Sequence, residues 1–257
     1  MVMRYIAILA LVLLAGCGAE RTRIRVIANI PEASGICYDA TDDSLYVVRD
    51  SGVIYQLSPS GKILRKKKIG KYDLEGIACD SRHDRLLAAV EGKDNILVIN
   101  KKTLNPTKKI NVARKYRGEK LLVKDKEQGL EGITIDDRGI VYLSNQSHHK
   151  YPHPDPSVIV LVRDLKSDKA PIIGIIDPRK KDIAGLEWHA GFLYMVSDTN
   201  DKLYRYNLYD RRIDRKLKLP KFAQEGIAFG PHGDLYLTDD NGHLFFYPKS
   251  RIQWQRK

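Results

Sequence analysis

Five short motifs in this chain place oxygen-bearing side chains at fixed offsets from a glycine: Glu32-Ala33-Ser34-Gly35-Ile36, Asp73-Leu74-Glu75-Gly76-Ile77, Gly129-Leu130-Glu131-Gly132-Ile133, Asp182-Ile183-Ala184-Gly185-Leu186 and Ala223-Gln224-Glu225-Gly226-Ile227. The residue before the glycine is Ser34, Glu75, Glu131, Ala184 or Glu225. Thirteen or fifteen residues after it stand Asp50, Glu91, Asn145, Asp198 and Asp239. Three further acids, Glu32, Asp73 and Asp182, precede the glycine by three residues. Carboxylates gathered this closely repel one another, and each is pushed toward protonation unless a cation sits among them. Oxygen ligands without cysteine, in a roomy ring, suit Ca²⁺ or Mg²⁺, and many carboxylates favour Ca²⁺. Some of these positions also have a plainer reading. Asp50-Ser51-Gly52, Asp198-Thr199-Asn200 and Asp239-Asp240-Asn241-Gly242 are ordinary hairpin-turn sequences. Glu75, Glu131 and Glu225 are not, because glutamate is no turn former.

The elements that must position these groups repeat with the motif. The glycines lie 41, 56, 53 and 41 residues apart. After each comes a turn, then an alternating strand such as Leu45-Tyr46-Val47-Val48 or Phe192-Leu193-Tyr194-Met195-Val196. A polar hairpin and a third strand follow, and several units close on a charged fourth strand such as Ile63–Ile69. Four short strands per unit, with almost no helical periodicity, predict an all-β chain folded as a β-propeller. Two blades need about 80 residues at ~40 each, so the widest gap of 56 hides no extra blade. The count is five blades of four strands. The strand from Arg23 to Ile30 has no place in the first blade and is expected to close the ring by completing the last one. In such a ring the motif strand lines the channel, and its start shares a face with the end of the second strand. The carboxylates therefore gather around one mouth.

Composition bounds what this mouth can serve. The chain has 257 residues, 44 Lys+Arg against 32 Asp+Glu, and a net charge of +12. Met1 to Gly16 reads as a signal peptide, with Arg4 followed by an apolar run from Ile6 to Leu14 that is too short to span a bilayer. Leu14-Ala15-Gly16-Cys17 resembles the lipobox of bacterial lipoproteins, which implies cleavage before Cys17 and lipid on its thiol. The expected organisation is a signal segment over 1–16, a lipidated tether over 17–22 and a propeller domain over 23–257. Gly18 after the cysteine favours the outer membrane facing the periplasm, with the cell membrane as alternative. A chain sent out of the cytoplasm with no nucleic-acid module is not expected to bind nucleic acid. Its partners are the membrane and an unidentified small molecule or protein at the channel mouth.

The repeated Glu-Gly-Ile and strand-Ser-Asp units resemble the SdiA-regulated, YjiK-like family of bacterial envelope propellers. That family includes calcium-regulated β-propeller proteins and is distantly similar to phytase-like propellers. The likeness covers about Ile30 to Tyr247. It implies a periplasmic or lipid-anchored propeller tied to calcium, without an established reaction. By that resemblance Glu75, Glu131, Glu225, Asp50, Glu91, Asp198 and Asp239 are candidate metal ligands. Ser34, Ala184 and Asn145 depart from a fully acidic ring.

Other residues near the same mouth could meet an organic ligand: Arg49, Asn145, and His148 and His149 in the long third-blade loop Asn145–Pro154. No nucleophile–base pair or phosphate loop stands out, so no catalytic residue is assigned. The sequence supports a calcium-binding ligand or sensing scaffold, with a metal-dependent hydrolase of phosphoesters, esters or lactones as the alternative. Cys37 and Cys79 follow their glycines by two and three residues on adjacent inner strands. Their opposite parity leaves pairing open, and buried free thiols are the default expectation.

Overall fold

The computed structural model describes residues 23–122 and 129–256. The expected signal segment, Cys17 and the tether through residue 22 lie outside the described residues. The first strand, β1 (Arg25–Asn29), is set aside by the chain until the end. Blade one is β2 (Ala33–Asp39), β3 (Ser44–Arg49), β4 (Val53–Leu57) and β5 (Ile63–Lys68). Blade two is β6 (Leu74–Asp80), β7 (Arg85–Val90), β8 (Asn95–Asn100) and β9 (Asn105–Val112), followed by a small hairpin of β10 (Lys115–Tyr116) and β11 (Glu119–Lys120). Blade three is β12 (Leu130–Ile135), β13 (Val141–Asn145), β14 (Val158–Val162) and β16 (Ile172–Ile176). Between its last two strands, β15 (Lys169–Ala170) crosses over to pair in parallel with β9 of blade two. Blade four is β17 (Ile183–His189), β18 (Phe192–Ser197), β19 (Lys202–Asn207) and β20 (Arg212–Lys218). Blade five is β21 (Gln224–Phe229), β22 (Leu235–Asp239) and β23 (His243–Tyr247), and β1 supplies its outer strand antiparallel to β23. The chain ends on β24 (Gln255–Arg256), which pairs with β20. This is the five-bladed all-β ring that the repeat spacing predicts, closed by the N-terminal strand.

The motif glycines explain how five inner strands fit around one axis. A Cβ on Gly35 would lie 2.7 Å from Gly76 Cα, and one on Gly76 would meet the Glu131 carbonyl. On Gly132 it would lie 2.6 Å from the Ala184 carbonyl, on Gly185 2.5 Å from that of Glu225, and on Gly226 2.6 Å from that of Ser34. Each glycine thus lets one blade's backbone touch the next, and the fifth contact closes the circle. The void left inside is about 10 Å³, about the room of one water molecule. The channel is a plugged cup rather than an open pore.

Below this ring, residues two and three after the glycines meet across each blade interface. Cys37 and Cys79 form a disulfide with Cα atoms 5.8 Å apart. This corrects the expectation of free thiols: the second residue after one glycine faces the third residue after the next, so opposite parity brings the pair together. The Trp188 backbone N–H donates to Thr134 Oγ1 at 2.8 Å in the equivalent place between blades three and four. Ala78 shares an apolar cluster with Ile135, and Ala228 with Tyr38. At the last interface a carboxyl, Glu187, accepts the Phe229 backbone N–H, and burial pushes its pKa up to about 8. The glycine and the disulfide yield one prediction. Gly132→Ala should lose roughly 1–3 kcal/mol of stability through forced backbone shifts. Cys37→Ser with Cys79→Ser should lose about 2–4 kcal/mol. Denaturant midpoints check both, and unchanged midpoints would contradict the packing described.

Candidate metal centre

Every inner strand carries a β-bulge at its motif. The register slips between Ala33 and Ile36, Leu74 and Gly76, Leu130 and Ile133, Ile183 and Leu186, and Gln224 and Gly226. A bulge re-aims a side chain that regular pairing would send to the other face. Here it frees the residue before the glycine from the blade interface. Glu75, Glu131 and Glu225 consequently reach one cavity of about 330 Å³ above the glycine ring. We call this the upper mouth.

Pairing also fixes which residue of each second strand joins them. Leu74 pairs with Val90, Leu130 with Asn145, Ile183 with Ser197, Gln224 with Asp239 and Ala33 with Arg49. The next residue in each case is Glu91, Gln146, Asp198, Asp240 and Asp50. The first four line the cavity together with Asp182, Ser147, His148 and Thr199. Among the described residues, seven carboxyl groups face it and no lysine or arginine does.

The sequence-predicted residues divide accordingly. Glu75, Glu131, Glu225, Glu91, Asp198 and His148 line this cavity. Asp239 does not: its carboxylate accepts the His243 backbone N–H at 2.7 Å and lies 3.0 Å from the His243 ring, closing a hairpin. Asn145 is also misplaced by the spacing argument. It is buried, and its amide donates to the Pro156 carbonyl at 2.8 Å and to Asp155 at 3.2 Å, anchoring the long loop. Both errors are one-residue register slips that the variable distance from the glycine conceals. Asp240 and Gln146 hold the equivalent places. Asp50 lies outside the cavity, in an adjoining groove of about 820 Å³ that it lines with Glu32, Asp73, Glu91, Tyr72, Lys71 and Lys93, among others. Arg49 lines neither space and is ion-paired with Glu32. His149 stacks on His153 at 3.8 Å between ring centroids, away from the cavity. Gln146, Ser147, Thr199 and Asp240 were not singled out by the sequence, and only pairing register could have found them.

Electrostatics sort the acids further. Asp182 is well satisfied: it accepts from Gln146 Nε2 at 2.9 Å, from the Thr199 N–H at 2.7 Å and from the Thr199 hydroxyl. Glu131 is only 6% exposed. Burial, then the charges of Glu75 and Glu91, push its pKa well above the carboxylate range. Glu225 is raised in the same way by burial, followed by Asp240, Glu75 and Asp198. Glu75 rises to about 8 through burial and the neighbouring Glu91 and Asp73, although the Ser34 hydroxyl donates to it. Asp50 rises to about 6 through burial and its contact with Glu32. Asp73, Glu75 and Glu91 each present an oxygen within 4.8 Å of the others. This acidic cluster could hold a metal ion, and an all-oxygen donor set suits a hard divalent cation.

A pH dependence follows. For Glu75 the folded pKa of about 8 exceeds its ordinary 4.5, so the folded state binds more protons between those values. The slope of stability with pH is then negative. Metal-free protein should melt at falling temperature as pH rises from about 4.5 to about 8, and Glu75→Gln should flatten the curve. Thermal melts in chelator across that range check this; a rising curve would refute the burial of these acids.

Comparison with known proteins bears on fold and family. The fold is shared with solved structures of low sequence identity. Myxococcus xanthus glutaminyl cyclase superposes with a TM-score of 0.67 at 14% identity, covering 91% of this chain and 95% of that one. A structure from the nidogen/laminin complex gives 0.52 at 16% identity, covering 86% and 82%. Streptogramin B lyase gives 0.51 at 14% identity, covering 91% and 72%. At these identities the likeness is one of fold alone. No protein of curated function matches the sequence. The SdiA-regulated family model matches residues 19–146, which span the first blades and the motifs around Glu75 and Glu131. The chain is thus a five-bladed β-propeller whose residues 19–146 match the SdiA-regulated family model.

Proposed function

We propose that this propeller binds calcium at its upper mouth and acts there as a ligand-binding or sensing scaffold, held to the cell envelope by lipid on Cys17. The observation that carries the reading is the convergence of Asp73, Glu75 and Glu91 within 4.8 Å, beside a cavity that seven carboxyl groups of described residues line. A bound cation would offset their mutual repulsion. Calcium suits the roomy, carboxylate-rich donor set better than magnesium, which demands a compact octahedron. The adjoining groove shares Asp73 and Glu91 with the cluster and adds Lys71, Lys93 and Tyr72, enough to seat an organic ligand next to the ion. The Cys37–Cys79 disulfide supports export, since structural disulfides persist mainly outside the cytoplasm. The outer membrane, facing the periplasm, is the preferred address.

The competing reading is a metal-dependent hydrolase at the same mouth. Its specific support is Glu131, a buried carboxyl raised well above the carboxylate range beside the cluster, with His148 on the same cavity wall. Such groups could exchange protons with a metal-activated water.

Calorimetric titration of the chelator-treated protein tests the first reading. Calcium at a hundredfold its dissociation constant should stabilise by about 2.7 kcal/mol. For a domain of this size that raises the melting temperature by roughly 5–10 °C. Glu75→Gln should weaken binding, whereas Asp239→Asn, which alters only a hairpin, should not. Absence of heat and of a melting shift would defeat calcium binding and the hydrolase together. With calcium bound, turnover of a phosphate, ester or lactone that disappears in Glu131→Gln would replace the scaffold by the enzyme.

A further inference from the structure

The propeller carries a second surface whose chemistry is opposite to the acidic mouth. Among the described residues six large apolar side chains are exposed, and four of them lie on, or one residue before, two outer strands. Ile24, 38% exposed, immediately precedes β1, and Val26, 42% exposed, is its second residue. Ile63 and Leu64, 48% and 49% exposed, open β5. These strands belong to blades five and one, which are neighbours across the ring closure. Gly61, in the turn before β5, abuts the Ile27 backbone so closely that no Cβ would fit, which ties the two strands together.

Register fixes the height of this patch. Ile63 pairs with Leu57 at the far end of β4 from Asp50, while Lys68 pairs with Val53 at the near end. Arg25 pairs with Phe246, and Asn29 with His243 beside the upper hairpin. The apolar residues therefore lie along the lower half of the rim, away from the carboxylates.

Charge reinforces the contrast. Residues 23–31 and 58–72 contain eight Lys and Arg and no Asp or Glu. Two of the eight are turned toward blade two: Arg65 donates to the carbonyls of Lys101 and Lys102, and Lys67 donates to that of Thr103 at 2.8 Å. Arg23, Lys62 and Lys66 are exposed on the same strands or just beside them. Exposed aliphatic side chains set among cations match the boundary of an anionic bilayer, where apolar groups enter and lysines meet headgroups. A polyanion without an apolar phase would have no use for Ile63 and Leu64.

Chain length points to the same place. Five residues separate Cys17 from Arg23. Fully extended they reach at most about 3.6 Å each, so the foot of β1 stays close to whatever holds Cys17. We propose that the lower rim of blades five and one docks on anionic lipid headgroups and points the acidic mouth away from the bilayer. The inference rests on the lipid-anchor part of the proposed function and is independent of calcium.

The test uses the mature lipidated chain on vesicles of phosphatidylcholine with and without phosphatidylglycerol. Cys37 and Cys79 are paired and Cys17 is acylated, so an introduced thiol can be labelled alone. An environment-sensitive dye goes on Leu64→Cys, on Ile173→Cys (the outer strand of blade three) or on Asn241→Cys (the upper turn of blade five). Shielding from an aqueous quencher should be several-fold at position 64 with phosphatidylglycerol, and absent at 173 and 241. Adding Lys62→Glu and Lys66→Glu should abolish it. Equal quenching at all three positions, or shielding indifferent to lipid charge, would overturn the proposal. Release of the chain from vesicles by a salt wash would mark failure of the anchor instead. The patch is then read with full-length Cys17→Ser on phosphatidylglycerol vesicles, where the two lysine substitutions should weaken sedimentation binding at least about tenfold. Unchanged binding there would also overturn docking. Retention on heparin that Leu64→Ser leaves unaltered, without vesicle binding, would assign the patch to polyanions.

Discussion

Backbone contact between neighbouring inner strands is the constraint on which the rest of the molecule depends. Gly35, Gly76, Gly132, Gly185 and Gly226 let each blade press its main chain against the next, and any Cβ would intrude on that contact. With the axis filled by backbone, side chains next to the glycines must leave the ring upward or downward. Downward they meet in interblade pairs, among them the Cys37–Cys79 bridge and the Thr134–Trp188 contact. Upward, a bulge in every inner strand turns the preceding residue toward the mouth. The acidic site is thus a consequence of how tightly the ring closes.

That closure has an electrostatic cost. Two carboxylates about 4.8 Å apart repel by roughly 3 kcal/mol at an effective dielectric of 20, and by less where water screens them. Burial and the charges of Glu91 and Asp73 accordingly raise Glu75 to about 8. Acids elsewhere escape the problem through local partners: Asp182 through Thr199 and Gln146, Asp239 through His243, Glu32 through Arg49. Their existence shows that the fold can satisfy a carboxylate where it needs one for scaffolding. Among the described residues no lysine or arginine lines the cavity with Glu75, Glu131 and Glu225, and burial with neighbouring acids raises all three.

The ring was legible in the sequence because its cause is periodic. A glycine that only backbone can approach recurs in every unit, and the apolar alternation after it names the strands. The inner glutamates were legible for the same reason, since they sit one residue from that landmark. The second set was read less well. Its distance from the glycine changes with the bulge and the intervening turn, so a fixed spacing points to Asn145 and Asp239 where Gln146 and Asp240 stand. A one-residue slip in a strand reverses the face of every side chain, and nothing in composition reveals it. The disulfide was hidden by a similar ambiguity, because opposite parity on two strands means facing only once their relative height is known. The apolar lower rim needed β1 to be seen beside β5, two segments far apart in sequence whose adjacency follows from ring closure.

Symmetric backbone and asymmetric chemistry together locate the site. Five equivalent positions precede the glycines, yet Ser34 and Ala184 interrupt the acids in blades one and four. Ser34 instead donates to Glu75, and so steadies the neighbouring blade's carboxyl. The tight group of Asp73, Glu75 and Glu91 belongs entirely to blade two, with Glu131 beside it on blade three. A cation held there would lie off the axis, on the side where the groove of Lys71, Tyr72 and Lys93 opens. Departure from five-fold symmetry thus sets the tightest group of carboxylates beside that groove rather than on the axis of the ring.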